Sequence, residues 1–538
     1  MKYAKFIWLF AMALPLSLEA QQEDLPSEQI EVVRSFEARL LDAEKLPINP
    51  GPIRVDTSRE LSYTYQLNPR PYAISYSDPE IRPIAMRKET LPDFYNGFLR
   101  MGYGVPNSPL MEMGYHFNEH NNLSLGISGR HLSANDKSID DMRFRETHGA
   151  VYGQYVVSPN LTISADASLD VEDYYYYPVN IQEFQIDENI LKRYTNFKGE
   201  ATLFNSGRNR HDIDYFASFK IDRLTDNRAT RENNILLHFG GTRWMGGEHP
   251  LKLEIGTDFT NLRDTLTRSL NNFFLKSSFT YNADRFSAKG GFNLSSSDDE
   301  FYFFPVVELN YRISGQSLIA FAGMDGDLYK NNYSNLSSYN PFINHRLDTL
   351  GNTTRQKIFA GIKGLYKQYS YSLEASYQKI ERMAFYLPNA VRWYLFDPIF
   401  DETQIYSLQA SVGAEIFEGL RLQSEFTYNH FDNETLRESW HVPSLMWSLT
   451  GIYRDVGDRL HLRSSLFIES GVKSLNFETG ESERLKGLFD LNVGADYYIA
   501  ENFSVFLNVQ NIFNNKRKRW ANYRGYGING HAGLFIRL

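Results

Sequence analysis

A chain of 538 residues without a cysteine can form no disulfide, no thiolate metal site and no lipid-modified N-terminal Cys. Its net charge of -9 and mean hydropathy of -0.44 would suit a large soluble protein, and nothing beyond residue 20 is long and apolar enough for a membrane helix. Any bilayer crossing therefore falls to strands, and 15% aromatic residues, with 35 Tyr and 38 Phe, suit the aromatic girdles of a membrane barrel.

The N-terminus reads as an export signal. Lys2 and Lys5 form a basic region, Phe6 to Leu18 an apolar core of signal-peptide length, and Leu18-Glu19-Ala20 ends on the small residue that signal peptidase requires. Residues 1–20 are thus expected to be removed after Ala20. Residues 21–96 read as an extended, Pro-rich segment, periplasmic or luminal. Prolines at 47, 50, 52, 69, 71, 79 and 83 forbid a long helix and disfavour central strands, so 46–95 should run irregular or polyproline-like.

From Gly97 onward the sequence alternates with a period of two. In Leu161 to Asp170 the odd positions are apolar and the even ones polar, so one face meets lipid and the other water. The rule recurs in Leu251, Leu253, Ile255 and Phe259 against Lys252, Glu254 and Asp258, in Val307, Leu309 and Tyr311 against Glu308, Asn310 and Arg312, and in Leu408, Ala410 and Val412 against Gln409 and Ser411. Near the end Val505, Leu507 and Val509 alternate with Ser504, Asn508 and Gln510, and Ala532, Leu534 and Ile536 lie opposite His531 and Arg537. A soluble sandwich could alternate in the same way, but these segments are as long as a tilted bilayer crossing requires. Connections also alternate between tight turns, as at 158–160, 282–285 and 417–420, and long stretches, as at 170–190, 325–355 and 381–402. The expectation is an all-β, transmembrane antiparallel barrel of about 22 strands over 97–538, with short periplasmic turns and long extracellular loops.

Gly97 to Gly104, Asn340-Pro341-Phe342, Trp440-His441-Val442-Pro443, and Asn511-Ile512-Phe513-Asn514 through Trp520, Tyr523 and Gly525-Tyr526-Gly527 resemble the barrel of TonB-dependent receptors of the Bacteroidota type. Those receptors place a folded plug domain before the barrel. The short stretch between Ala20 and Gly97 resembles instead the N-terminal segment of plugless relatives. Within it Gln29 to Val33, with Ile30, Glu31, Val32 and Val33 at its centre, is similar to a TonB box, the strand that pairs with the edge of a sheet in TonB. Residues 30–45 would serve equally as an amphipathic helix. The resemblance implies a transporter or channel for an unidentified solute. The alternative is a non-transporting structural or accessory subunit of an outer-membrane complex.

No catalytic, cofactor or metal site stands out. His116 and His120 are four apart, but the zinc-protease motif needs Glu directly after the first His and a helix beneath it. Gly525, Gly527 and Gly530 match a dinucleotide pattern while entering a strand, where they ease packing or bending. The run Lys516, Arg517, Lys518, Arg519 would in an exported barrel lie in an extracellular loop, where it could pair with lipopolysaccharide phosphates. In long loops, Asp298-Asp299-Glu300 could bind a cation and Tyr174 to Tyr177 a sugar or an apolar ligand, though most such loops simply meet water. The expected partners are outer-membrane lipid and lipopolysaccharide, the outer-membrane insertion machinery, and TonB or another periplasmic or surface protein, with no nucleic acid. An enzyme is not expected, nor a cofactor.

Overall fold

A computed structural model describes residues 95–538 apart from 121, 178–189, 207–211, 298–299, 348 and 477–478. The signal peptide, the Pro-rich segment up to residue 94, the TonB-box-like Ile30 to Val33 and Asp298-Asp299 lie outside the described residues.

Alternation along the chain becomes a ring of 22 antiparallel strands, each paired with its neighbours in sequence. The ring closes where the first strand, Gly97–Val105, meets the last, Asn529–Arg537, with Phe98 opposite Arg537 and Val105 opposite Gly530. Mutual backbone bonds between Gly97 and Leu538, 3.1 and 2.8 Å, finish the seam. Closure leaves this 22-stranded sheet without a free edge, which a bilayer demands.

The two faces follow the sequence pattern. Ile163, Leu169, Leu253, Ile255, Phe259, Leu309, Leu408 and Leu507 all point outward and are exposed. At the tight-turn end the outward face carries Tyr155, Tyr215, Tyr281, Tyr311, Tyr369 and Phe417, a girdle at the periplasmic interface. The inner wall is polar and paired across strands, as in Lys276–Asp327 at 2.5 Å, Lys357–Glu374 at 2.6 Å and Lys220–Glu200 at 2.8 Å. Its aromatic rings lie flat because glycines on the adjacent strand make room. A Cβ at Gly256 would come within 2.2 Å of the Phe274 ring, and one at Gly126 within 2.3 Å of Tyr152.

The loops depart from the expected regularity. At the outer end the connections 106–107, 227–230 and 264–266 are as tight as periplasmic turns. The stretch 381–402, expected as a loop, is largely strand: Tyr369–Pro388 and Phe396–Phe417 run 20 and 22 residues, leaving only 389–395 to join them. These strands continue past the membrane because they pair with each other as far as Pro388 and Phe396. Likewise 325–355 contracts to a connection over 332–350, which contains one short helix, Tyr333–Tyr339.

Candidate functional site

The outer mouth of the barrel is spanned by its own loops. Their shared core includes Tyr176, Tyr194, Tyr333, Phe342, Ile343, Tyr386, Tyr394, Leu395, Phe396, Trp520 and Tyr523. Three of its contributors stand roughly a third of the ring apart. Tyr194 belongs to the sixth strand, Leu191–Phe204, Phe342 to the connection between the thirteenth and fourteenth strands, and Tyr523 to the connection before the last strand. Contacts among such points can form only across the lumen. Phe342 lies on Tyr523 with ring centroids 3.7 Å apart and planes within 10°, while the Tyr194 hydroxyl donates to the Pro341 carbonyl at 2.8 Å. Each aromatic pair adds about 0.5–1.5 kcal/mol beyond the area it buries.

Tyrosine suits this place because its ring fills the core while its hydroxyl satisfies a loop carbonyl. Tyr523 donates to the Tyr394 carbonyl at 2.6 Å and Tyr177 to that of Arg524 at 3.1 Å. The run Tyr174 to Tyr177, which from the sequence could take a sugar or an apolar ligand or simply meet water, is instead largely consumed by the cap. Tyr176 is buried against Tyr394, and Tyr177 meets Tyr523 and Phe342 edge-on.

The barrel wall anchors the cap through charged groups. Glu232, fully buried on the eighth strand, Arg231–Met245, accepts from the backbone N–H of Tyr333 at 2.7 Å and of Ser334 at 3.2 Å, and from the Asn332 side chain at 2.7 Å. A carboxylate from the wall thus supplies the acceptors that the first turn of the helix lacks. Beside it Lys192 and Asp226, both with fully buried side chains, pair at 2.7 Å. The Tyr333 hydroxyl joins them, accepting from Lys192 at 2.8 Å and donating to Asp226 at 2.7 Å. Breaking a buried pair of this kind costs about 3–5 kcal/mol, since one charge is left uncompensated.

On the opposite side His441, in the connection before Leu445–Arg454, ties three segments together. Its Nδ1 lies 2.8 Å from the Tyr386 carbonyl, and its Nε2 accepts from the backbone N–H of Ala521 at 3.3 Å. The ring packs against Phe396 and Trp520. Burial pushes the imidazole down to about 4, opposed by the bond to Tyr386 and reinforced by nearby Arg519, so the neutral ring is the form that fits. Asp401 clamps the same connection by accepting from Thr435 N–H and Leu436 N–H at 3.0 and 2.8 Å.

The run Lys516 to Arg519 sits beside this cap. Arg517 is ion-paired with Glu469 at 2.5 Å, and Arg519 stacks over Tyr339 and Trp520, while Lys516 is exposed. His116 bonds to Ser124 across the strand turn. Gly530 lies where a Cβ would come within 2.3 Å of the Asn508 carbonyl, so packing does explain that glycine. Sequence reasoning missed Glu232, Lys192, Asp226 and Asp401. Each is one polar residue in an alternating strand, and only its remote partner distinguishes it.

No family model matches the chain, and neither does any curated protein. Solved structures do. The FrpB iron transporter from Neisseria meningitidis aligns with a TM-score of 0.66 at 11% identity, covering 83% of this chain and 82% of that one. The ferripyoverdine receptor of the Pseudomonas aeruginosa outer membrane aligns at 0.61 and 13% identity, covering 82% and 71%. The ferric enterobactin receptor PfeA of the same organism aligns at 0.61 and 12% identity, covering 82% and 80%. At such identities the likeness establishes the fold alone, a closed 22-stranded barrel of the kind found in these transporters and receptors.

Proposed function

We propose that the chain is an outer-membrane transport barrel of receptor type, shut at rest by its own loops and opened when a solute competes for the aromatic cap. The observation that carries this reading is the stack of Phe342 on Tyr523, which joins distant arcs of the ring above a polar, ion-paired lumen. A diffusion pore has no use for such a closure, whereas a selective uptake barrel needs one. Export through cleavage after Ala20 and coupling to TonB through Ile30 to Val33 complete the proposal. The accessory-subunit alternative draws no support from the neighbours, which are named as transporters and receptors.

Planar-bilayer recording tests it. The native protein should be silent or open only briefly, and a Phe342→Ala, Tyr523→Ala variant with its barrel intact should show frequent openings. Large permanent channels from the native protein would refute closure at rest. Silence of the variant, together with no uptake phenotype on gene deletion, would refute transport.

A further inference from the structure

The outward wall carries a concentration of arginine on one arc, at one height. Across the seventh to ninth strands, Ile213–Asp226, Arg231–Met245 and His249–Arg263, the outward-facing Ile221, Ile235 and Phe259 are neighbours in register and belong to the apolar band. One row nearer the outer rim the register brings Phe197, Arg223, Asn233 and Asn261 side by side. In the next row Arg231 stands directly opposite Arg263, flanked by Thr225 and Thr267. Like charges directly across a ladder are destabilising unless an anion lies between them. Arg223, Arg231 and Arg263 are all exposed, and none forms an ion pair among the described residues.

The neighbouring strands extend the excess. Arg145 and Arg193 share one carboxylate, the buried Asp173, at 2.5 and 2.6 Å. Of the five guanidinium groups Arg145, Arg193, Arg223, Arg231 and Arg263, two share Asp173 and, among the described residues, the other three pair with no carboxylate. On another part of the outer face Lys379 is, by contrast, matched by Glu402 and Glu381. The arc borders the apolar band of Ile221, Ile235 and Phe259 on its outer-rim side, the side on which outer-leaflet phosphates would face the wall, and the planar fork of arginine is suited to bidentate phosphate binding.

We propose that Arg223, Arg231 and Arg263 hold the phosphate groups of lipopolysaccharide, the phosphorylated glycolipid of the outer leaflet, against the outside of the barrel. The assignment rests on outer-membrane placement and not on transport. It concerns a different surface from the run Lys516 to Arg519, two of whose charges serve the cap.

The test uses the whole mature chain in detergent micelles doped with diphosphoryl lipid A, with retained lipid quantified after gel filtration. The native protein should retain lipid A, and the triple variant R223Q/R231Q/R263Q about tenfold less. Unchanged heat-modifiable mobility on a gel would confirm that the variant's barrel is folded. If the triple variant does not fold, Arg231→Gln alone, which also removes the like-charge opposition, should still lower retention. The proposal is overturned if the variants retain as much lipid A as the native protein or if dephosphorylated lipid A is held equally well. Displacement by inorganic phosphate at equal concentration would also overturn it, since the site would then be one for the free anion. Failure of the membrane reading itself would look different, because the chain would then stay soluble without detergent.

Discussion

Replacing Phe342 by alanine should loosen the outer cap while leaving the barrel intact. The ring is 6% exposed, stacks on Tyr523 at 3.7 Å, and meets the edges of Tyr174 and Tyr177, each at 6.4 Å. Truncating a buried phenylalanine costs about 3–5 kcal/mol. The lower end applies here, because a loop relaxes into the gap more readily than a strand and because Tyr523 and Tyr177 keep their carbonyl partners. A loss of about 3 kcal/mol raises the open population by about two orders of magnitude. Amide hydrogen exchange read by mass spectrometry should therefore accelerate about a hundredfold over 333–347 and 518–524, with barrel strands such as Leu161–Tyr175 unchanged. Unaltered exchange in those loops would refute the claim that this stack holds the cap. Equal acceleration in the strands would refute the claim that cap and barrel open separately.

Glu232→Ala should strand the N–H groups of Tyr333 and Ser334 and cost the helix about 2–3 kcal/mol, seen as faster proteolysis near 333–339, whereas Glu232→Gln should keep part of the effect. Gly104→Ala places a Cβ 1.7 Å from the Gly530 carbonyl oxygen at the closing seam, so the folded, heat-modifiable fraction should fall sharply. Acid should open the cap through His441, whose value of about 4 in the closed state lies below the 6.5 of a free imidazole. Between those values the open state binds more protons, so the stabilisation is complete above pH 6.5 and drains away as pH falls toward 4, by about 3 kcal/mol in all. Protease nicking of 434–444 should rise across that window, and His441→Gln should flatten the dependence.

The sequence determined the barrel. Lipid on one side and water on the other impose a period of two that survives without any knowledge of partners, so the outward placement of Ile163, Leu253, Leu309 and Leu507 and the number of strands were both legible. Only the tertiary structure decided what lies at the mouth. The cap is built from pairs such as Glu232 with Tyr333, 101 residues apart, and Lys192 with Tyr333, 141 apart. Neither period nor spacing encodes such pairs, and the tyrosines of a folded loop are indistinguishable in sequence from those of an open one. The arginine arc stayed hidden for the same reason. Arg223, Arg231 and Arg263 are scattered along the chain, and it is strand register that brings them into adjacent rows beside the apolar band.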